Sequence, residues 1–554
     1  MLPEKQQKII ESIFYRLVAI RSDTNSIYEP IIEDVILNWF REREYFQENP
    51  EYFGTEPLKE DAYRREVVWA LVRGEGKETV VLIHHHDAVG IEEYGSLEDM
   101  AFRPEELKEA LLRRVKKKGV LRDLQDENWI FGRGTADMKG GAALQMGVVD
   151  YFSKQEDFKG NLLILSVPDE ETISKGMLQG VELLHKLHQK YGLNYKLAIN
   201  SEPYFNNVRE KALYYEGSVG KVMPIIYAKG VTSHISNPYN GISPSMVMAN
   251  IQRRTELNPG LCDVHENDAT PPPMWVHLKD RKKVYDASIP EAAVGFFNWL
   301  TFVKEPQEIL ESLKTFAKEA VTETLVFVDG SYQAYCEMNH QEYEPIEYSP
   351  IILDFEEAYK WAREDGGERF EKEYQETLFL LRQDFQDNKV TLPELAVKLI
   401  ALTGDHINID EPLVILGLSG PYYPHINNHN ILGDDLKLEE RLNRITGKYY
   451  NFSFQKNEYF MGMSDLSYCG FTGKSEDIDV IKRNSPGWDE VYSIPFQEMQ
   501  KLNMKVVNIG PWGKDLHQRS ERVYGPDVFE RIPTIIKDLI EEVLSGEEES
   551  LEVG

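Results

Sequence analysis

Across the first two hundred residues, short runs of apolar and β-branched residues alternate with stretches of helical spacing. This alternation restricts the fold more than any other feature of the chain. ETVVLIHHH, NWIFGRG, NLLILSVP and YKLAINSEP have the length and composition of strands, and GGAALQMGVVDYFSKQ and KGMLQGVELLHKLHQKYG have those of helices. Strands separated by helices predict an α/β unit with a mostly parallel sheet. A second α/β stretch follows: strand KVMPIIYAKG, helix SPSMVMANIQRRTEL, strand AAVGFFNWL and helix EILESLKTFAKEAVTETL. Next comes FEEAYKWAREDGGERFEKEYQETLFLLRQDF, whose charges recur at i,i+3 and i,i+4 and read as a solvated helix face. PLVILGLSG and MKVVNIGPWG return to strand composition, and DVFERIPTIIKDLIEEVL closes the chain as a helix. The order predicts one domain inserted into another, with 1–212 and 406–554 forming the outer domain and 213–405 the insert.

Length and charge narrow the function classes. A chain of 554 residues exceeds one ordinary core. Its apolar runs fall short of the ~18–20 residues a membrane span needs. The N-terminus MLPEKQQKIIESIFYRLVAI lacks an uninterrupted apolar core and a small-residue cleavage site, so it does not read as a signal peptide. Ile9, Ile10, Ile13, Phe14 and Leu17 recur there at helical spacing and predict a packed amphipathic helix. A formal charge of −31 weighs against nucleic acid and anionic membranes as partners, since both are met with Lys and Arg. Cys262, Cys336 and Cys469 are odd in number and far apart, which disfavours disulfides and thiolate metal sites and fits a reducing cytoplasm. The acidic tail GEEESLEVG reads as frayed.

Four polar clusters follow predicted strands, at the edge where open α/β sheets bind ligands. The first is His84-His85-His86-Asp87. Residues i and i+2 share a face of an extended segment, so His85 suits a metal ligand with Asp87 accepting from its far nitrogen; the rival reading is a polar turn. The second is Gly132-Arg133-Gly134-Thr135-Ala136-Asp137-Met138-Lys139-Gly140-Gly141. Its glycines suggest a phosphate loop, but a dinucleotide fingerprint needs Gly where Asp137 stands, and a carboxylate there repels pyrophosphate and attracts a cation. The third is Asp169-Glu170-Glu171, whose adjacent acids either face a positive charge or favour a helix N-terminus. The fourth is Asn200-Ser201-Glu202-Pro203, a ligand or a turn. His234 in GVTSHISNPYNG and His517 in GPWGKDLHQRSE stand alone, and His185 and His188 read as a solvated helix face.

Taken in order, HHHD, GRGTADMKGG, PDEE, SEP, GVTSH, GMSDLSY and the late DLH resemble the co-catalytic zinc metallopeptidase family. That family includes acetylornithine deacetylase, succinyl-diaminopimelate desuccinylase, aminoacylase and the glutamate carboxypeptidases. The extra length resembles the RocB-type branch, named for arginine utilisation. The resemblance implies an α/β zinc-peptidase catalytic domain with an inserted α/β lid of the dimerisation type. It also implies two divalent metal ions per chain, zinc first, with cobalt or manganese as alternatives. His85, Asp137 and Glu202 would hold one ion; Asp137, Glu171 and His517 would hold the other. Glu170 would stay unligated as general base, and His234 would donate to the oxyanion from the lid of a homodimer. The implied reaction is hydrolysis of the amide bond of a small N-acyl amino acid or short peptide. A dipeptidase or aminopeptidase on the same scaffold, or a non-catalytic binding protein, are the rivals. Relatives commonly grip a substrate carboxylate with a lid Asn and Arg, but Ala287 and Leu300 occupy those places here, and 303–450 lacks a clear counterpart in smaller members.

Overall fold

The structure, a computed structural model, describes residues 1–205, 211–265, 268–433 and 436–545. The chain forms two compact units: Met1–Val219, Ile426–Thr472 and Pro495–Gly554 make the first, and Gly220–His425 with Gly473–Ile494 make the second. Along its first leg the chain forms α1 (Glu4–Val18), α2 (Glu29–Arg41), β1 (Phe53–Pro57), β2 (Glu66–Arg73), β3 (Glu75–His85) and β4 (Trp129–Phe131). It continues with α3 (Gly140–Phe152), β5 (Lys159–Val167), α4 (Lys175–Tyr191), β6 (Asn194–Asn200) and β7 (Lys211–Tyr215). The second unit carries β8 (Gly220–Lys229), α5 (Pro244–Thr255), β9 (Met274–Asp280), β10 (Ala292–Thr301), α6 (Pro306–Asn339), β11 (Ile351–Asp354), α7 (Phe355–Gln386), α8 (Leu392–Asp405) and β12 (Leu413–Tyr423). The return leg adds β13 (Ser453–Asn457), β14 (Lys505–Asn508), β15 (Gly513–Lys514), β16 (Arg522–Tyr524) and α9 (Ile532–Ser545).

The first unit is built on an eight-stranded sheet in the order β1-β2-β5-β3-β6-β14-β7-β13. Its centre, β5-β3-β6-β14, is parallel, whereas β1, β2 and the β14–β7 pair run antiparallel. Val80–Ile83 in β3 and Leu162–Leu165 in β5 are buried throughout, as expected of strands covered on both sides. Helices α3 and α9 pack on β3 and β5, and α1 lies against α3. Ile10, Ile13, Phe14 and Leu17 of α1 are buried, so the predicted amphipathic helix is a core element. One segment of this unit departs from expectation. NWIFGRG supplies only the short β4, which joins β15 and β16 in a separate antiparallel sheet and leaves the Asp137 segment at that sheet's edge.

In the second unit the sheet order is β9-β10-β8-β12-β11. Here PLVILGLSG departs from its expected place in the outer domain. It forms β12, antiparallel to β8 from Leu413↔Lys229 to Ser419↔Met223, with every residue buried. The insert therefore begins at Gly220, not 213, runs to His425, not 405, and regains Gly473–Ile494. Strand composition reports burial, not which sheet a strand joins. The highly charged α7 also has a buried stripe, Phe370, Tyr374, Leu378 and Leu381, so only its remaining face is solvated. Among the described residues, no helix is long and apolar enough to cross a membrane, and Cys262, Cys336 and Cys469 are free thiols. The acidic tail GEEESLEVG (546–554) lies outside the described residues.

Candidate metal centre

The parallel centre of the first sheet brings three of the four clusters to one edge. β3 delivers His85, β5 delivers Glu170 and Glu171, and β6 delivers Glu202. His85 Nε2 lies 3.1 Å from Asp137 Oδ1 and 3.2 Å from Glu202 Oε1. His517 Nε2 lies 3.1 Å from Asp137 Oδ2 and 3.2 Å from Glu171 Oε2. Within each trio the donor atoms lie within 4.8 Å of one another. Asp137 thus presents one oxygen to each histidine. His85 Nδ1 faces Asp87, 3.1 Å from its carbonyl oxygen and 3.4 Å from its carboxylate, so the backbone carbonyl is the nearer partner. The flanking histidines serve packing: His84 Nδ1 meets Gln145 Oε1 at 3.0 Å, and His86 meets Ser166 and Glu33.

Backbone anchoring explains the placement. The amides of Ala136 and Asp137 donate to Glu521 Oε1 at 3.2 and 3.3 Å, and buried Arg133 holds Glu521 at 2.6 Å. The Glu202 amide donates to Asn508 Oδ1 at 2.8 Å, and its carbonyl accepts from Asn508 Nδ2 at 3.1 Å. Gly510 and Gly141 let two other segments approach here: a Cβ at Gly510 would lie 2.1 Å from the Glu202 carbonyl oxygen, and one at Gly141 would lie 2.4 Å from that of Ser201. After β5, the amides of Glu170 and Glu171 donate to the two oxygens of Asp87, each at 3.2 Å.

Electrostatically the site is short of positive charge. Burial pushes Glu202 up to about 8 and Glu171 up to about 7, with Asp137 adding to both. Hydrogen bonds to Asp137 and Glu171 raise His517 to about 11. Burial opposes charge on His85, but Glu202, Asp137 and Asp87 outweigh it and raise its pKa well above the usual value. Burial likewise works against Asp137, yet His517 and His85 hold its carboxyl below the usual range. Glu170 belongs to neither trio, and burial, then Asp465, Glu202 and Glu171, raise it well above the ordinary carboxylate value against the pull of His85. Each trio offers one imidazole nitrogen and two carboxylate oxygens, a donor set that suits divalent zinc, cobalt or manganese.

His234 lies in the second unit and is exposed. Its Nδ1 accepts from the Ser236 amide at 3.2 Å and faces the Ser236 hydroxyl at 2.8 Å. His185, expected on a solvated face, is half-buried with Nε2 2.9 Å from the Glu498 carbonyl oxygen. Sequence reading assigned no role to Arg65, Glu29, Glu521, Asn508 or Asp465. Only Asp465 carried a signal, as the acid of GMSDLSY; it is buried, and burial followed by Asp87 and Asp169 lifts it to about 7.

The chain belongs to peptidase family M20/M25/M40, whose profile matches residues 118–542. Membership places it among metal-dependent hydrolases. Two proteins of Bacillus subtilis (strain 168) are similar over nearly the whole length. Uncharacterized protein YqjN is 30% identical over 539 residues, covering 96% of each chain. Protein RocB is 28% identical over 544 residues, covering 95% of this chain and 94% of its own. Among solved structures, the Bacillus subtilis YXEP protein, a dinuclear metal-binding peptidase of the M20 family, shares the fold. It covers 98% of this chain and 99% of its own, with 12% identity and a TM-score of 0.50.

Proposed function

We propose that the protein is a two-metal amidohydrolase that cleaves the amide bond of a small N-acyl amino acid or short peptide. One observation carries the reading: Asp137 turns one carboxylate oxygen to His85 and the other to His517, each within reach of a further glutamate. Divalent ions held by the two trios, zinc first, would polarise the scissile carbonyl and make water a stronger nucleophile. Glu170, outside both trios and with raised proton affinity, takes the proton of the attacking water and passes it to the leaving nitrogen. Asp87 fixes the far nitrogen of His85 and, through its carboxylate, the turn that carries Glu170.

His234 is proposed as the oxyanion donor, acting within a homodimer. Acceptance of the Ser236 amide by Nδ1 leaves the neutral ring protonated on Nε2, the tautomer a donor needs. A cavity of about 570 Å³ in the same unit is lined by His234, Arg281, Lys282 and Lys283. Arg281 is bidentate to Asp405, and Lys282 pairs with Asp286. Asp286, Glu291 and Asp405 line the cavity as well, so acids balance bases there and the cavity by itself sets no preference for a substrate carboxylate. The RocB likeness makes acylated arginine and its relatives the first compounds to screen.

The test is a hydrolysis panel of N-acyl amino acids against free-amine dipeptides with zinc-, cobalt- and manganese-loaded protein. On the best substrate, Glu170→Ala should keep its metal and lose turnover by ~10²–10⁴-fold. Co-folding Glu170→Ala with His234→Ala should restore activity in mixed dimers. Full turnover by Glu170→Ala alone overturns the mechanism, and inactive mixed dimers overturn the role in trans.

A further inference from the structure

Arg65, at the entry to β2, is fully buried among three acids. Its guanidinium lies 2.9 Å from Glu29, 2.6 Å from Asp61 and 2.7 Å from Asp169, and all three carboxylates are buried with it. One cation among three desolvated acids is a costly way to fill a core, because apolar residues of the same volume often do at least as well. The cluster therefore calls for an explanation in what it holds.

It holds the turn that follows β5. Asp169 has a left-handed backbone (φ 70°). Its amide donates to Glu29 Oε1 at 3.0 Å, and its Oδ1 accepts from both Arg65 and the Thr172 hydroxyl. Its Oδ2 accepts the Lys175 amide at 3.1 Å, and its carbonyl accepts the Ser174 amide at 2.8 Å. The next two amides, of Glu170 and Glu171, end on Asp87. Three successive N–H groups thus terminate on carboxylates, and Arg65 joins the first of those carboxylates, Glu29, to the Asp169 side chain. The other ligands are anchored elsewhere: Glu202 by Asn508, and Asp137 by Glu521 with Arg133.

We propose that Arg65 is a positioning residue for Glu170 and Glu171. Through Asp169 and Glu29 it sets the base and one ligand of the His517 trio, without touching the His85 trio. The inference rests on the two-metal reading, and it adds a prediction that reading does not make: loss of Arg65 acts on one metal position only.

The experiment titrates Co²⁺ into chelator-treated full-length protein, following absorption and heat. Wild type should take two ions. Arg65→Lys keeps the charge but loses the fork, and should weaken the second binding event by ~10–100-fold, the usual cost of losing an outer hydrogen-bond partner, while leaving the first unchanged. Glu29→Gln should weaken the same event by a smaller factor. It covers the case in which Arg65→Met, which strands three buried acids, does not fold; circular dichroism monitors each variant. Folded Arg65→Lys that binds both ions as wild type does, or loses both equally, overturns the proposal and leaves the two-metal reading standing. Wild type that takes fewer than two ions removes the reading itself, and the role of Arg65 with it.

Discussion

The two trios are chemically alike and physically unlike. Each has one histidine and one glutamate around the shared Asp137, yet His85 is 1% exposed and Glu202 6%, whereas His517 is 50% exposed. His85 ends a strand in the middle of a parallel sheet and has its second nitrogen fixed by Asp87. His517 sits on a loop between two short strands, with φ 59°. A buried, preset donor loses little freedom when it takes a ligand, while a half-exposed loop histidine must be ordered first. The difference teaches that the proposed centre has a tight position and an exchangeable one. Metal should enter the His85 trio first and leave the His517 trio first.

The largest effect should come from the residue the trios share. Asp137→Ala removes an oxygen from each, so both ions and all turnover should be lost, as elemental analysis of the dialysed protein would show. Retention of either ion at full occupancy would mean that the trios do not share this carboxylate.

Single-ligand variants should separate the positions. His85→Ala should abolish the tight binding event, and His517→Ala should abolish only the weaker one, each by more than the ~10–100-fold typical of an outer hydrogen-bond partner. Calorimetric titration with Zn²⁺ or Co²⁺ resolves the two. A His517→Ala protein that has lost its tight event instead would reverse the comparison.

Much of this contrast was legible in the sequence, though unevenly. His85, Glu170, Glu171 and Glu202 follow parallel strands, whose ends are where ligands gather, and Asp137 follows the short antiparallel β4. Composition marked all five only as candidates beside turn and helix-cap readings, and their division into ligands and base came from the resemblance. His517 was reachable only through the resemblance, because a lone histidine in a polar loop has no local signature. The anchoring residues were not legible at all. Arg65, Glu521 and Asn508 act across 104, 384 and 306 positions of chain, and no local pattern reports such a partner. For the same reason β12 was placed with the wrong sheet: its apolar run predicts a buried strand, and only its pairing with β8 decides where.

Protons sharpen the comparison further. Without an ion, His517 titrates at about 11, Glu202 at about 8 and Glu171 at about 7, so near neutral pH protons occupy positions that metal must take. Metal affinity should rise with pH by ~10-fold per unit for each proton displaced. Stability of the metal-free protein should run the other way. Raised pKa values mean that the folded state holds more protons than the unfolded chain. The contribution of Glu171 and Glu202 is present below about 4.5 and lost as pH climbs through 7 and 8, and that of His517 is present below about 6.5 and lost toward 11. Thermal unfolding between pH 6 and 9 should show the metal-free protein weakening and excess metal protecting it most at the alkaline end. A metal-free protein that grows more stable over this range would contradict these shifts.

The smallest effect should fall on the tight trio through its backbone. Asn508 touches no donor atom; it accepts the Glu202 amide and donates to the Glu202 carbonyl, completing a two-point grip on the residue that carries the third donor. Asn508→Ala leaves both backbone groups in a buried place without that partner, and lets the Glu202 side chain drift from His85. The trio keeps its donors but loses their preset spacing, so affinity at the tight position should fall by ~10-fold, the lower end for outer partners, while the His517 position keeps its value. Asn508→Asp retains the acceptor for the amide and loses the donor, so it should fall between wild type and Ala at neutral pH. Equal weakening of both ions in Asn508→Ala would mean that the tight position owes its strength to burial around Asp137 and not to the grip on Glu202.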